Sequence, residues 1–456
     1  MIVAIGGASG FIGRALTAHL VDHGHDVLAL SRSPAAVPLG ATSMAIDVGD
    51  ETATAAALAH VDAAYYLVHS MAAGGSFREM DLRLAGAFGR AAARAGLGRI
   101  VYLGGLGAAP QSAHLASRHE VGAALAAAGV PVVELRAAVV FGAGGISFEM
   151  VRYLTERLPV MVCPRWVGTR IQPIALTDLL SYLEQSLEVE PGVYEIGGAD
   201  VTTYREMILQ YARVRNLRSR RVLDLPWLTP HLSSYWVDMV TPVDRSVSHA
   251  LIESLVSEVV VTDPAPTSRA FTVAPMGVEA ALRAALDDQD EHLSRTLLER
   301  QGGLLDGVYT VEVEVEVSAD VHDAVIGDLA RIGGSVRWYG AAPGWILRLA
   351  LGRLVGERLR TRRTTALVTG ATVDWWRVAT AEPGTLVLRS VGWWPGDAWL
   401  GYRVADGLLR QVAAFRPRGL SGFLYWKLLG PVHRVAFARM ARHRAHVGRA
   451  PGAQPG

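Results

Sequence analysis

The chain has 456 residues, 50% of them hydrophobic and 19% charged, with a formal net charge of +1, a single lysine (Lys427) and a single cysteine (Cys163). No Walker loop ending in Gly-Lys-Ser/Thr can be written, a Tyr-x-x-x-Lys dyad or a Schiff base has only Lys427 to use, and Cys163 excludes an internal disulfide and a multi-cysteine zinc or iron–sulfur site. The near-zero charge argues against general nucleic-acid binding, although nine basic residues and no acidic one follow Asp406.

The chain opens on an apolar run without a basic leader, and no uncharged apolar stretch reaches the ~18 residues of a spanning helix, which reads as a cytoplasmic protein. Strand-like residues 2–5, helix-like 11–23 and strand-like 26–30, 63–68 and 99–103 follow in βαβ rhythm. That rhythm predicts the α/β class: a doubly wound parallel Rossmann sheet with helices on both faces. Gly24 and Gly96 stand where left-handed helix caps are wanted. From about residue 144 to 286 the alternation loosens into pieces carrying Pro226, Pro230 and Pro242 among others, with one more strand candidate at 193–196. This region reads as a small substrate lobe completing a domain over 1–286. Polar residues 287–303 are expected to be a linker.

Residues 304–449 then change to period two. Segments 308–317, 366–380, 385–393, 398–405 and 408–415 read as antiparallel strands, and 420–447 as a long closing helix. This second domain is α+β, with an aromatic interior holding Trp338, Trp345, Trp375, Trp376, Trp393, Trp394, Trp399 and Trp426; residues 450–456 are expected to be a disordered tail.

The segment GGASGFIG, residues 6–13, follows the first strand and opens the first helix. In that context Gly7 is expected to make the tight turn, Gly10 to admit a pyrophosphate and Gly13 to let helix and sheet pack, with Ser9, Phe11 and Ile12 in the same cofactor-binding segment. Arg32 stands where an NAD-specific site would carry Asp or Glu, and suits a 2′-phosphate, so NADP(H) is favoured over NAD(H). Asp47, with Val48 beside it, is placed to meet the adenine or to make a turn. No metal site is expected.

The glycine spacing, with the segments YYLVHSM (65–71), VYLGGLG (101–107), SRHEVG (117–122), LRAAVVFG (135–142) and RIQPIALTDLL (170–180), resembles atypical and extended short-chain dehydrogenases/reductases of the NmrA-like, sugar-epimerase-like branch, over about residues 1–285. The resemblance implies that Asp178 helps anchor the second lobe and that 194–198 form a strand and loop near the substrate. It also implies a catalytic Tyr, Lys and Ser, and none of the three is present. Alignment puts His114 on the tyrosine, Arg118 on the lysine and Gly104 or Gly105 on the serine. His114 titrates in the range for proton transfer, and Arg118 could hold a ribose although it cannot deprotonate; the alternative is a loop histidine and an ordinary helix start. His69, after the fourth strand where open α/β sheets bind ligands, is a further catalytic candidate, and Tyr102 either faces the nicotinamide or packs.

Segments 376–390, 395–404 and 415–437 resemble a domain of unknown function often fused behind such modules and similar to the START-like (SRPBCC) helix-grip fold, whereas 354–365 lack a second glycine expected after Gly356. Tryptophans of this domain either line a cavity for a lipid, isoprenoid or quinone or fill the core. The last helix carries Lys427, Arg434, Arg439, Arg442, Arg444 and Arg449 alongside Phe423, Tyr425, Trp426 and Phe437. That composition fits peripheral contact with anionic membrane or a solvated face. The expected function is hydride transfer between NADP(H) and a hydrophobic carbonyl, enone or quinone; the rival is a redox-inactive sensor, assembly factor or lipid-binding scaffold.

Overall fold

The computed structural model describes residues 1–33, 37–38, 40–69, 77–107, 113–224, 257–299, 307–332, 367–391 and 395–446. The chain divides into two units: Met1–Thr155 with Val160–Asp288, and Glu156–Pro159 with Gln289–Gly456.

In the first unit β1 (Ile2–Gly6), β2 (Asp26–Ser31), β3 (Ala41–Ala45), β4 (Ala63–Tyr66), β5 (Arg99–Gly105), β6 (Val132–Ala137) and β7 (Gly192–Ile196) form one parallel sheet in the order 7-6-5-4-1-2-3. Helices α1 (Phe11–Asp22) and α5 (Leu176–Gln185) cover one face, packing Leu16, Leu20, Leu179 and Leu183 on Val3, Ile5, Val27 and Val101. Helices α2 (Glu51–Leu58), α3 (Phe77–Ala95) and α4 (Ala113–Ala126) cover the other, packing Leu58, Phe88 and Leu125 on Ala4, Leu30 and Ile100. Coverage on both sides explains why the inner strands β1, β2, β4, β5 and β6 are runs of largely buried residues rather than alternating ones, while the edge strands β3 and β7 are more exposed. Gly24 (φ +82°) and Gly96 (φ +69°) follow α1 and α3 as left-handed caps. The strand expected at 193–196 is the seventh of this sheet, paired in parallel with β6, and so belongs to the Rossmann layer rather than to a separate lobe. Asp178 ties α5 to the later chain by accepting from the Met276 N–H at 2.8 Å.

In the second unit β8 (Tyr309–Glu316), β9 (Thr372–Val373), β10 (Trp376–Glu382), β11 (Thr385–Ser390), β12 (Gly396–Ala405) and β13 (Leu408–Pro417) form an antiparallel sheet in the order 8-13-12-11-10-9. The single strand read at 366–380 is broken by a turn in which Asp374 is left-handed (φ +53°), a conformation that Asp tolerates better than most residues. Residues 287–296, read as linker, continue helix α6 (Val278–Thr296). Leu293 of that helix, with Leu297 and Leu298 after it, packs on Val387, Trp399, Val412 and Ala414, apolar residues hidden in a polar stretch. The sheet's opposite face meets α7 (His322–Leu329) and the long α8 (Gly419–Ala445) through Val325, Leu329, Phe437 and Met440. Trp375, Trp376 and Trp399 are core residues. Trp338, Trp345, Trp393, Trp394, Pro226, Pro230, Pro242, residues 354–365 and the tail at 450–456 lie outside the described residues.

Candidate active site

The order of the parallel sheet reverses between β1 and β4, and ligands of open α/β sheets sit at the carboxyl ends of the strands flanking such a reversal. The glycine loop leaves β1 at that end. Gly7 is left-handed (φ +88°), and a Cβ there would stand 2.9 Å from the Leu67 carbonyl, so the turn needs glycine twice over. The Gly7 and Ala8 N–H groups donate to Leu30 O at 3.2 and 3.3 Å, tying the loop to the end of β2. Gly10 is the N-cap of α1 and no side chain caps the helix, so its first N–H groups and dipole are presented to an anion. The Arg14 guanidinium donates to Ser9 O at 2.5 Å and adds a cation that the glycine pattern did not single out. Phe11 turns its ring onto the Gly142–Gly145 turn, where a Cβ on either glycine would come within 2.9 Å of it, and Ile12 packs on the core under the sheet.

Arg32 is exposed directly after β2, beside the loop that Leu30 holds. Asp47 is exposed after β3 and its carboxylate accepts from the Gly49 N–H at 2.9 Å, which is the turn role; Val48 is buried and faces Gly6. These residues form a cradle at the ends of β1, β2 and β3 that fits a dinucleotide.

Across the reversal, His69 follows β4 and its Nδ1 lies 2.8 Å from the carboxylate of Asp81 on α3. Asp81 is 2% exposed. Burial pushes the His69 pKa below its ordinary value, the Asp81 hydrogen bond opposes that shift, and the Arg118 charge adds to it. The carboxylate favours the tautomer with the proton on Nδ1, leaving Nε2 as the acceptor. Asp81 was not among the residues singled out in the sequence; its only signal is an acid within an alanine-rich amphipathic helix.

Tyr102 and Arg118 are committed elsewhere. Tyr66, Tyr102 and Glu134 stand in register on β4, β5 and β6. Tyr102 is fully buried, its hydroxyl donates to Arg118 O at 2.9 Å and burial raises its pKa to about 12, so its ring packs in the core. The Arg118 guanidinium stacks on the Tyr102 ring at 5.3 Å and donates to the Leu103 carbonyl, fastening α4 to β5. His114 lies in the first turn of α4, not in a loop; its side chain is outside the described residues. At the two aligned serine positions a Cβ would stand 3.0 Å from the Glu134 carboxylate at Gly104, and 3.0 Å from the Leu115 side chain and 3.5 Å from that of Arg118 at Gly105.

Residues 7–139 match the model of an NAD(P)H-binding family. Residues 305–440 match a second family, described as a protein of unknown function (DUF2867). The N-terminal part therefore carries an NAD(P)-binding, short-chain-dehydrogenase-like Rossmann fold, followed by a separate C-terminal DUF2867 domain. UDP-glucose 4-epimerase from Thermotoga maritima has a similar fold, at a TM-score of 0.52 and 13% identity, covering 64% of this chain and 100% of that one. WbmG of Bordetella bronchiseptica, solved with NAD and UDP, compares at a TM-score of 0.49 and 17% identity over 64% of this chain and 95% of that one. An uncharacterized protein of Mycobacterium tuberculosis is 32% identical over 143 residues, 31% of this chain. The match spans 15% of that relative's length.

The second unit holds an open apolar pocket lined by Trp376, Trp399, Phe415, Trp426, His433 and Phe437 among others. Its rings are ordered by stacking, Trp426 on Phe415 at 5.2 Å and on His433 at 5.5 Å. His433 Nδ1 lies 2.8 Å from Leu429 O and its Nε2 3.0 Å from the Tyr425 hydroxyl, and burial holds its pKa below the ordinary value. The described residues contain no helix long and apolar enough to cross a membrane.

Proposed function

We propose that the protein is a cytoplasmic NADP(H)-dependent oxidoreductase that moves hydride to or from a hydrophobic carbonyl, enone or quinone. The observation that carries this reading is the His69–Asp81 pair at the end of β4, on the other side of the sheet reversal from the glycine loop at the end of β1. A nicotinamide cofactor supplies or accepts the hydride when bound. Gly7, Gly10 and Gly13, with the Ser9, Phe11 and Ile12 backbone, would hold its pyrophosphate, Arg32 its 2′-phosphate, and Asp47 and Val48 would flank its adenine. Asp81 would orient His69, and the imidazole would take a proton from a substrate hydroxyl in oxidation and return it in reduction. His114, at the family's tyrosine position, is a second proton carrier by alignment. The pocket of the second unit is assigned an apolar ligand of the lipid, isoprenoid or quinone class, as a START-like grip would bind.

One observation favours a different reading. At the position of the family's lysine, the Arg118 guanidinium is spent on Leu103 O and Tyr102, which suits a redox-inactive, cofactor-binding sensor or scaffold.

Incubation with NADPH deuterated at both C4 positions and an apolar extract separates the two. Deuterium in a metabolite, lost about 10²- to 10⁴-fold in rate in His69→Ala while NADPH binding persists, supports the enzyme. Tight NADPH binding with no labelled product supports the sensor.

A further inference from the structure

Leu420, Leu424, Leu428, Val432 and Val435 follow one another along α8 at intervals of four, four, four and three residues, so they share one side of the helix. All five are exposed, from 43% at Leu420 to 76% at Leu428. The aromatic residues of the same helix face the other way: Trp426 stacks between Phe415 and Tyr309, and Phe437 is buried with Met440 in the core. The helix is thus apolar on both sides, and among the described residues only its inner side packs on its own domain. A continuous exposed apolar stripe of this kind marks a surface that meets a partner.

The charges around the stripe define that partner. Lys427, Arg434, Arg439 and Arg442 are exposed and, among the described residues, none of them meets a carboxylate. Arg444, the cation turned inward, is the one held by an acid, Asp328, at 2.5 Å. No Asp or Glu occurs in α8. The glutamates of the neighbouring strand β8 do not reach this side: Val311, Val313 and Val315 pack into the core against α8, while Glu312 and Glu314, alternating with them, pair with Arg410 on the opposite face. A second copy meeting this face through the same surface would, among the described residues, set cations against cations with no acid between them.

We propose that α8 docks the protein on an anionic lipid bilayer, with the leucine–valine stripe among the acyl chains and the four cations at the level of the phosphates. The contact is peripheral. It places the bilayer on one side of a helix whose other side, through Trp426, His433 and Phe437, lines the apolar pocket.

The test is flotation of the full-length protein with vesicles of phosphatidylcholine plus phosphatidylglycerol, and with phosphatidylcholine alone, at low salt. The expected result is flotation with the anionic vesicles only, reversed by added salt. Leu424→Glu and Leu428→Glu should each lower partitioning by about tenfold or more, and the double variant Arg434→Glu/Arg439→Glu should do likewise. Leu428→Trp should show a blue shift of its emission on adding anionic vesicles. Because Leu428 is 76% exposed, its substitution leaves the melting midpoint unchanged, and that control separates lost docking from lost folding. No flotation at low salt, or flotation indifferent to the leucine variants, overturns the proposal. So does a concentration-dependent dimer, abolished by Leu428→Glu, in protein that ignores vesicles; that result assigns the stripe to a second copy.

Discussion

A β-carbon on Gly13 would stand 2.3 Å from the carbonyl oxygen of Gly7 and 2.8 Å from the Cα of Ala8. The first turn of α1 is therefore pressed against the loop that precedes it, and that closeness aims the helix N-terminus into the space above β1. Gly13→Ala must displace loop or helix, with an expected cost of ~1–3 kcal/mol and at least a tenfold loss of NADPH affinity. Gly24→Ala is the control: nothing lies within 4 Å of its Cβ position, and only its φ of +82° opposes alanine. That change should cost ~1–2 kcal/mol and leave cofactor affinity alone. Fluorescence titration of NADPH beside melting curves reads both; normal binding by Gly13→Ala would detach the loop from the cofactor.

On the proposed reading Arg32 selects NADP(H) over NAD(H). It follows β2 next to the loop that Leu30 holds, with no acid in its place to receive ribose hydroxyls. A charge-assisted bond to the 2′-phosphate predicts that Arg32→Ala lowers NADPH affinity by roughly 10- to 100-fold and leaves NADH affinity unchanged. Equal losses for both cofactors would show that Arg32 supports the loop and does not read the phosphate.

What the sequence made legible is what depends on neighbours along the chain. The glycine loop, the caps at Gly24 and Gly96 and the period-two alternation from residue 308 are local patterns, and the structure places strands, turns and helices there. Long-range partners were not legible. Asp81 meets His69 from a different element, and Glu134 occupies space opened by Gly104 and Gly122, where a Cβ would fall 3.0 and 2.4 Å from its carboxylate. Residues 287–296 looked like a linker because their surface face is acidic, while Leu293, with Leu297 and Leu298 after it, faces the sheet. On α8 Phe437 is core and Trp426 packs half-buried against it, while the exposed apolar residues are Leu420, Leu424 and Leu428 at four-residue spacing.

The burial of His69 and His433 sets the sign of a pH dependence of stability. Both have folded pKa values below the ordinary 6.5, with burial the larger cause, opposed at His69 by the Asp81 bond and at His433 by the Leu429 carbonyl. The unfolded chain takes up those protons more readily. Stability is therefore whole above 6.5 and is lost as pH falls from there towards the folded values. Urea midpoints should decline on acidification from neutrality to about pH 5, and the slope should become shallower in His69→Gln/His433→Gln. An unchanged slope in that double variant would mean that other groups govern the acid limb.

Arg416 is the charged centre of the second unit. It is 2% exposed, and its guanidinium donates to Asp397 at 2.7 Å, to Gln289 Oε1 at 2.9 Å and to Asp290, with the Trp399 ring 5.3 Å away. Asp290 and Asp397 are themselves buried and keep Arg389 and Arg418 as partners, so removing Arg416 takes one of two cations from each carboxylate and the donor from Gln289. Arg416→Leu should cost ~3 kcal/mol for that reason. Arg416→Lys keeps the charge but offers a single point in place of a planar fork, and cannot serve Asp397, Asp290 and Gln289 together; it should lose a large part of the same energy. Arg416→Leu/Asp290→Asn/Asp397→Asn, with the charges removed together, should recover much of the stability. Urea unfolding of the four proteins, followed by tryptophan fluorescence, measures this, and a triple variant no more stable than Arg416→Leu would show that the arginine acts by packing on Trp399 and not by neutralising the acids.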